Sequence, residues 1–286
     1  MIVAPYLKFM KPGVFVAIAV LAGSQSFAET NDRSSDERVK SGDPIAKLIT
    51  GSLGKKAHSV SKTEKNRPRG KLVEGIDVSK FQENINWKKV RAAGIKFAYI
   101  KATEGGDHKD KKFKKNWAGA KKAGVARGAY HFYYFCTKPE VQAKWFIRNV
   151  PKTKDALPPV LDMEWNHLSP TCKKRPPAAK VRKDMKTFLR IVERHYGKKP
   201  VIYTSVDFHR EKLVGAFKEY PFWLRSVAAP PRKVYTDRKW LFWQWTGTGK
   251  VKGIKGKVDR NKFSGTTSEW KAWVSGKTHH LKLVRN

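Results

Sequence analysis

Two carboxylates interrupt an apolar run in the middle of the chain, where Asp162 and Glu164 lie within residues 159–165. If this run is a β-strand, its side chains alternate between two faces, so both acids point the same way. Its apolar character is typical of a strand buried on both faces, as parallel strands are in α/β proteins. Because an unpaired buried carboxylate costs several kcal/mol of folding free energy, we expect the two acids to share a pocket for a functional reason.

Two interpretations account for such a pair. Neighbouring Arg or Lys side chains could neutralise both acids in a structural ion-pair network. Alternatively, like charges roughly 6–7 Å apart on one strand face raise the pKa of one carboxyl, which gives a proton donor beside an anion. We favour the second interpretation, because a same-face pair at a strand end is a more demanding arrangement than a lone buried Asp.

The elements around this pair alternate regularly from Leu72 onward. A helix capped by Asn86, a long helix that stops at Gly197 and a helix through Leu213 and Phe217 are predicted from apolar spacing and capping residues. The predicted strands are Leu72–Val78, Lys96–Lys101, Val125–Phe135, Val160–Trp165 and Val201–Ser205, then Phe222–Val227, Leu241–Trp245 and a segment near Val258. Five strand–helix units followed by three strands without regular helices predict an α/β fold, a TIM-like barrel.

In such a barrel the chemistry lies at the carboxyl ends of the strands. Asp77 is near the end of the first predicted strand and Asp259 is at the end of the eighth, so both are expected to join the central pair at one mouth. Aromatic and amide side chains near other strand ends would bind a sugar there, although core packing is an equally good explanation for any single ring. The substrate-binding candidates are Tyr130, Tyr203, Trp243 and Gln244.

The chain begins with features of an export signal. Lys8 and Lys11 precede the apolar stretch Val14–Leu21, and Ser26-Phe27-Ala28 places small residues at the two positions that a signal peptidase reads. We therefore predict a signal peptide over residues 1–28, with an uncleaved anchor as the alternative, and an exported protein, periplasmic or extracellular. Residues 29–71 are predicted to be a disordered basic linker, 72–268 the catalytic barrel and 269–286 a short basic tail.

The charge balance favours polyanionic surroundings. The chain has 61 Lys and Arg residues against 24 Asp and Glu, a formal net charge of +37. Nucleic acid, anionic lipid and an anionic cell envelope all fit this charge. The basic residues lack a nucleic-acid recognition motif with stacking aromatics, so with an export signal we predict that anionic cell-envelope polymers are the partner. No transmembrane segment is expected after signal cleavage.

The two cysteines, Cys136 and Cys172, do not have the spacing of a metal site. Each follows one of two strands that we expect to be neighbours, so an oxidising compartment allows them to form a disulfide. Two unpaired thiols are the alternative. We predict neither a metal nor an organic cofactor.

Five short motifs together resemble glycoside hydrolase family 25, the Chalaropsis-type lysozymes. They are Gly75-Ile76-Asp77-Val78-Ser79, Lys101-Ala102-Thr103-Glu104-Gly105, Gly128-Ala129-Tyr130-His131-Phe132, Leu161-Asp162-Met163-Glu164 and Val258-Asp259-Arg260-Asn261. Each motif alone is weak, but all five occur in the family's order over about Leu72 to Gly265. The resemblance implies a barrel that hydrolyses the β-1,4 bond between N-acetylmuramic acid and N-acetylglucosamine in peptidoglycan.

Residue roles also follow from the resemblance. Glu164 is implied as the general acid and base, and Asp162 as the group that supports attack by the substrate's own acetamido group, with Asp77 and Asp259 completing the pocket. Arg225 departs from the family, because a small residue is expected near the cleft at that strand. A non-catalytic peptidoglycan-binding protein on the same fold is the alternative function, and the presence of all four acids argues against it.

Overall fold

The computed structural model describes residues 72–276 except Leu168 and Pro170. The strands are β1 (Glu74–Val78), β2 (Phe97–Glu104), β3 (His108–Lys109), β4 (Ala126–Phe132), β5 (Val160–Met163), β6 (Val201–Thr204), β7 (Phe222–Arg225), β8 (Phe242–Gly249) and β9 (Val258–Phe263). The helices are α1 (Trp87–Ala92), α2 (Phe113–Lys122), α3 (Pro139–Asn149), α4 (Ala178–Tyr196), α5 (Val206–Phe208), α6 (Pro231–Val234) and α7 (Thr267–Val274), with a 3-10 turn Lys80–Gln82 and a π-helical turn His209–Leu213.

The sheet closes on itself. In the described part of the chain its order is β1-β9-β8-β7-β6-β5-β4-β2-β3, and β1 also pairs with β2, so eight strands form a barrel with β3 attached outside the ring. Neighbouring strands are parallel from β1 through β2 and β4 to β8, whereas β9 runs antiparallel to both β8 and β1. The predicted TIM-like α/β barrel is confirmed, with its last strand reversed.

The helices form where the sequence supplies an apolar face and a cap. In α4 one buried stripe faces the barrel: Val181, Met185, Phe188, Leu189 and Val192. Gly197 ends this helix in the left-handed conformation, with a φ of 66°, which glycine adopts without steric strain. At α1 the Asn86 side chain accepts a hydrogen bond from the Lys89 backbone N–H, as expected for an N-cap.

Two apolar clusters stabilise the domain. One lies between the outer face of the strands and the helices, and the other fills the barrel interior. The interior cluster includes Phe97, Phe242, Phe263 and Trp270. Because Trp270 belongs to α7, this helix covers the end of the barrel where β2 and β5 begin. The boundary predicted at residue 268 therefore falls inside a helix that packs on the barrel.

Some predicted boundaries differ from the structure. β5 ends at Met163, so Glu164 and Trp165 follow the strand instead of ending it. The helix predicted through Leu213 and Phe217 was wrong in extent: helical turns stop at Leu213, and Phe217 lies beyond them with a φ of 57°. Two helices, α6 and α7, occur in the last third, where none was expected.

The predicted signal peptide, 1–28, and linker, 29–71, lie outside the described residues. Across the residues that the structure describes, no helix combines the length and apolar character needed to span a bilayer.

Candidate active site

Four acids occupy one mouth of the barrel. Asp77 is on β1, Asp162 is on β5, and Glu164 comes one residue after β5 ends. Asp259 is the second residue of β9 and pairs directly with Asp77. The prediction that Asp259 ends its strand was wrong. It reaches the mouth because β9 is reversed, so that the start of β9 lies beside the ends of the parallel strands.

A chain of hydrogen bonds positions Asp77. Its Oδ2 accepts from Gln244 Nε2 at 2.9 Å and from Asn261 Nδ2 at 2.8 Å. Trp223 Nε1 donates to Asn261 Oδ1 at 2.8 Å, and the Tyr203 hydroxyl donates to Gln244 Oε1 at 3.0 Å. These contacts fix both amides with their NH₂ groups toward the carboxylate, so Asp77 is held in one orientation.

Asn261 and Trp223 were not among the sequence candidates. Asn261 is two residues after Asp259 on β9, and the alternation of strand side chains that paired Asp162 with Glu164 could have identified it. There was no such indication for Trp223, because a tryptophan in an apolar strand is interpreted as a core residue.

Asp162 and Glu164 differ in what surrounds them. Asp162 is 7% exposed, and its Oδ1 has no hydrogen-bond partner among the described residues. Glu164 is only partly buried. A buried acceptor without a donor is costly, so Asp162 is prepared to receive a donor or a positive charge from outside the chain.

Burial raises the pKa of every acid in the mouth, and repulsion by neighbouring acids adds to the rise for Glu164, Asp162 and Asp259. Desolvation raises the pKa of Glu164 to about 7, with Asp207 and Asp77 adding to the rise. Desolvation likewise raises the pKa of Asp77 to about 6. The pKa of Asp162 is raised well above its usual range by burial and by the charge of Glu164, and that of Asp259 by burial and by Asp77. The mouth therefore retains protons near neutral pH, as a site for general acid catalysis requires.

Two cations moderate this repulsion. Arg225, the last residue of β7, lowers the pKa of Glu164, Asp77 and Asp259 through its positive charge. Lys101 on β2 lowers the pKa of Asp162 and Glu164 in the same way. Arg225, the residue that departs from the family pattern, therefore lies close enough to the acids to change their pKa values.

The substrate-binding candidates separate into two groups. Tyr130 and Tyr203 both lie in the field of Asp77 and Asp162, and Gln244 contacts Asp77 directly. Trp243 points to the opposite face of β8 from Gln244, donates from Nε1 to the Ser226 carbonyl at 2.6 Å and packs against Trp240. The structure does not bring Trp243 to the acids, so its placement in the cleft was wrong. The cause is the period-2 alternation of β8.

Cys136 and Cys172 are joined in a disulfide, with their Cα atoms 5.8 Å apart. The bond ties the loop after β4 to the loop after β5, which carries Glu164. The same loop is fixed further by Ser169 Oγ, which lies 2.7 Å from the Tyr134 hydroxyl and accepts from the Cys172 backbone N–H at 3.0 Å. Within residues 72–276, as far as they are described, no group of three or more His, Cys, Asp or Glu side chains is arranged to hold a metal ion.

Comparison with known proteins agrees with this geometry. The family model described as "Glycosyl hydrolases family 25" matches residues 76–254. An uncharacterised protein, YegX of Escherichia coli K12, is 39% identical over 216 residues, which cover 73% of this chain and 76% of YegX. Lysozyme M1 of Streptomyces globisporus is 37% identical over 211 residues, which cover 68% of this chain and 69% of lysozyme M1. The structure of a family 25 glycosyl hydrolase from Bacillus anthracis superposes with a TM-score of 0.65 at 40% identity, covering 70% of this chain and 92% of that one.

Proposed function

Since this chain belongs to glycosyl hydrolase family 25 and is a glycoside hydrolase, we propose that it is a muramidase. In this proposal it cuts the β-1,4 bond between N-acetylmuramic acid and N-acetylglucosamine in peptidoglycan, with Glu164 as general acid and base. The similarity to a protein named lysozyme supports the substrate class. The observation that carries the assignment of Glu164 is its position: a partly exposed carboxyl with a pKa raised to about 7, next to the buried Asp162.

The first half of the reaction uses the proton on Glu164. The carbonyl oxygen of the substrate's acetamido group attacks the anomeric carbon while the glycosidic C–O bond breaks, and the leaving oxygen takes the Glu164 proton. A positively charged oxazolinium ring results, and Glu164 becomes a carboxylate. In the second half water attacks the anomeric carbon, Glu164 takes its proton, and the acetamido group is restored. Both halves invert the anomeric centre, so the overall configuration is retained.

Asp162 is proposed to stabilise the developing oxazolinium. Burial favours its neutral form in the free enzyme, so the role depends on what the substrate supplies. The acetamido N–H gives the unpartnered Oδ1 a donor, and the positive charge that forms on the ring nitrogen favours the carboxylate over the carboxylic acid. Asp162 is therefore best stabilised as an anion when the transition state is bound, which is the requirement for catalysis.

Asp77 and Asp259 complete the negative field of the mouth, while Tyr130, Tyr203 and Gln244 are proposed to line the sugar site. Export to the periplasm or the cell exterior, and attraction of the basic chain to anionic envelope polymers, remain part of the proposal. A substrate outside the cytoplasm is consistent with a disulfide beside the active site.

The test is digestion of purified peptidoglycan followed by mass spectrometry of the released fragments. A muramidase leaves N-acetylmuramic acid at the new reducing end. Glu164→Gln preserves size but removes the transferable proton, so release should fall by at least about a hundredfold. Asp162→Asn should lose about a hundredfold to a thousandfold.

Melting temperatures of both variants must accompany the digests. Activity loss that tracks unfolding would indicate a structural ion-pair network. A folded Glu164→Gln protein with release close to wild type would exclude the catalytic assignment, and fragment-free binding by the wild type would favour a non-catalytic peptidoglycan-binding protein.

A further inference from the structure

A small cavity of about 120 Å³ lies beside the acid mouth, in the loop that follows β5. Its floor is aromatic and includes Trp165, the residue that follows Glu164. The cavity approaches the mouth at His167, whose Nε2 lies 3.7 Å from Asp207 Oδ2, and the charge of Asp207 raises the pKa of Glu164. Its rim carries His167, Lys173, Lys174 and Arg175, and none of the described residues that line it is acidic.

Two observations indicate what the cavity binds. The Trp165 ring lies under two cations, with the Arg175 guanidinium 4.8 Å and Lys212 Nζ 5.4 Å from its centroid. Trp165 is 7% exposed, and its Nε1–H is buried without an acceptor in the part of the chain that the structure describes. Cations at the rim of the cavity and an unsatisfied N–H donor on one of its lining residues are complementary to an anion that offers hydrogen-bond acceptors.

Among the cations at the rim, Arg175 is held in position before any ligand arrives. Arg175 Nη2 donates to His167 Nδ1 at 2.8 Å, which places the ring proton on Nε2, and that atom lies 3.7 Å from Asp207 Oδ2. Cys172, in the cavity wall, is tied by the disulfide to the neighbouring loop. A guanidinium that is already positioned loses less conformational entropy on binding than a mobile side chain does.

We propose that this cavity binds the carboxylates of the peptide stem that peptidoglycan carries on N-acetylmuramic acid. The inference rests on the proposed function, because it takes the sugar beside Glu164 to be a muramic acid. On such a strand the sugar rings are otherwise neutral, and the stem carboxylates are the anions nearest to the bond that is cut. The enzyme would then recognise the peptide stem as well as the glycan strand.

The experiment compares two substrates that differ only in the stem. Glycan strands with intact peptides are digested beside the same strands after an amidase has removed the peptides. The wild type should cleave stem-bearing strands with a higher kcat/KM at low salt, and the preference should shrink as salt rises, because exposed charge pairs are screened.

The double variant Lys174→Gln/Arg175→Gln should lower kcat/KM on stem-bearing strands by about threefold to tenfold, the size expected when two exposed ion pairs are lost. Its activity on stem-free strands should be unchanged. The matched control is Lys88→Gln/Lys122→Gln, which removes the same charge from a shallow groove between α1 and α2. This control should retain the preference, and Arg175→Lys should lose only part of it.

Three results would overturn the inference: equal wild-type cleavage of both strands at low salt, an equal loss on both strands in the double variant, or the same loss in the α1–α2 control. The first needs no variant and so does not depend on variant folding. Failure of the wild type to cleave either strand would overturn the proposed function instead.

Discussion

The two ends of the barrel use the same strands for opposite purposes. On β5 the inward side chains are Val160 and then Asp162, and on β8 they are Phe242 and then Gln244. Two residues further along each of these strands, the inward side chain changes from apolar in the interior to polar at the mouth. The closed end is sealed by aromatic rings beneath α7. The mouth contains acids with raised pKa values and, in the described part of the chain, a carboxylate oxygen without a hydrogen-bond partner.

Residues that stabilise the fold and residues that form the proposed active site therefore lie only about two positions apart on the same strand. The closed end gains free energy from buried apolar area and close packing. The mouth loses free energy because carboxylates are desolvated beside one another. Substitutions at the two ends should therefore change stability with opposite signs.

The largest effect is expected at the closed end. Phe242 is fully buried, and its ring centroid lies 5.0 Å from that of Phe97 and 5.8 Å from that of Phe263. Phe242→Ala should lower the free energy of unfolding by about 3–5 kcal/mol, measured by urea denaturation. The kcat/KM of the folded fraction should stay close to wild type. A large loss of activity in fully folded protein would show that the two ends are coupled, and Phe242→Leu provides a milder control.

The sequence predicted the barrel well, because apolar periodicity is a local property. The succession of strands and helices, the Asn86 cap and the Gly197 stop all depend on residues near each other in the chain. The reversal of β9 could not be read in this way, since strand direction depends on pairing with β1, far away in sequence. Trp270 was assigned to a tail for a related reason: α7 is short, and its apolar residues gain meaning only against Phe97 and Phe263.

At the mouth the acids were predicted from the sequence, but Asn261 and Trp223, which position Asp77, were not. Alternation identified Asp162 and Glu164 as neighbours, while positions near predicted strand ends placed Asp77 and Asp259 at the same mouth. The amide of Asn261 and the indole of Trp223 act through contacts across the barrel, which no local pattern reveals. Trp243 shows a different error. An aromatic residue near a strand end can line the cleft only if its side chain points to the same face of the strand as that of Gln244.

A second prediction concerns the sign of the stability change at the mouth. Glu164 titrates at about 7 when folded, against 4.5 for the ordinary carboxyl. Between these values the folded protein binds more protons than the unfolded chain, so its stability should fall as pH rises from 4.5 through 7. Glu164→Gln has no charge to desolvate, so it should be more stable than wild type by roughly 1–3 kcal/mol at pH 8 and similar at pH 4.5.

Thermal melts across this pH range would measure the difference. A surface acid gives the opposite sign: Arg127 holds the pKa of Asp155 at about 2 through a contact of 3.1 Å, so Asp155→Asn should destabilise the protein at pH 8. Loss of stability in Glu164→Gln at pH 8 would mean that Glu164 is part of a structural ion-pair network and that the acids at the mouth do not destabilise the fold.

The smallest effect tests how Arg225 moderates the mouth. Its guanidinium is the main cation that lowers the pKa of Glu164 against desolvation. Arg225→Gln should raise that pKa, so Glu164 stays protonated to higher pH and the alkaline limb of the kcat/KM profile moves upward by on the order of one pH unit. Arg225→Lys retains the charge and should leave the limb near its wild-type position, even if KM changes through lost hydrogen bonds. An unchanged limb in Arg225→Gln, or equal shifts in both variants, would show that Arg225 acts through shape and not through charge.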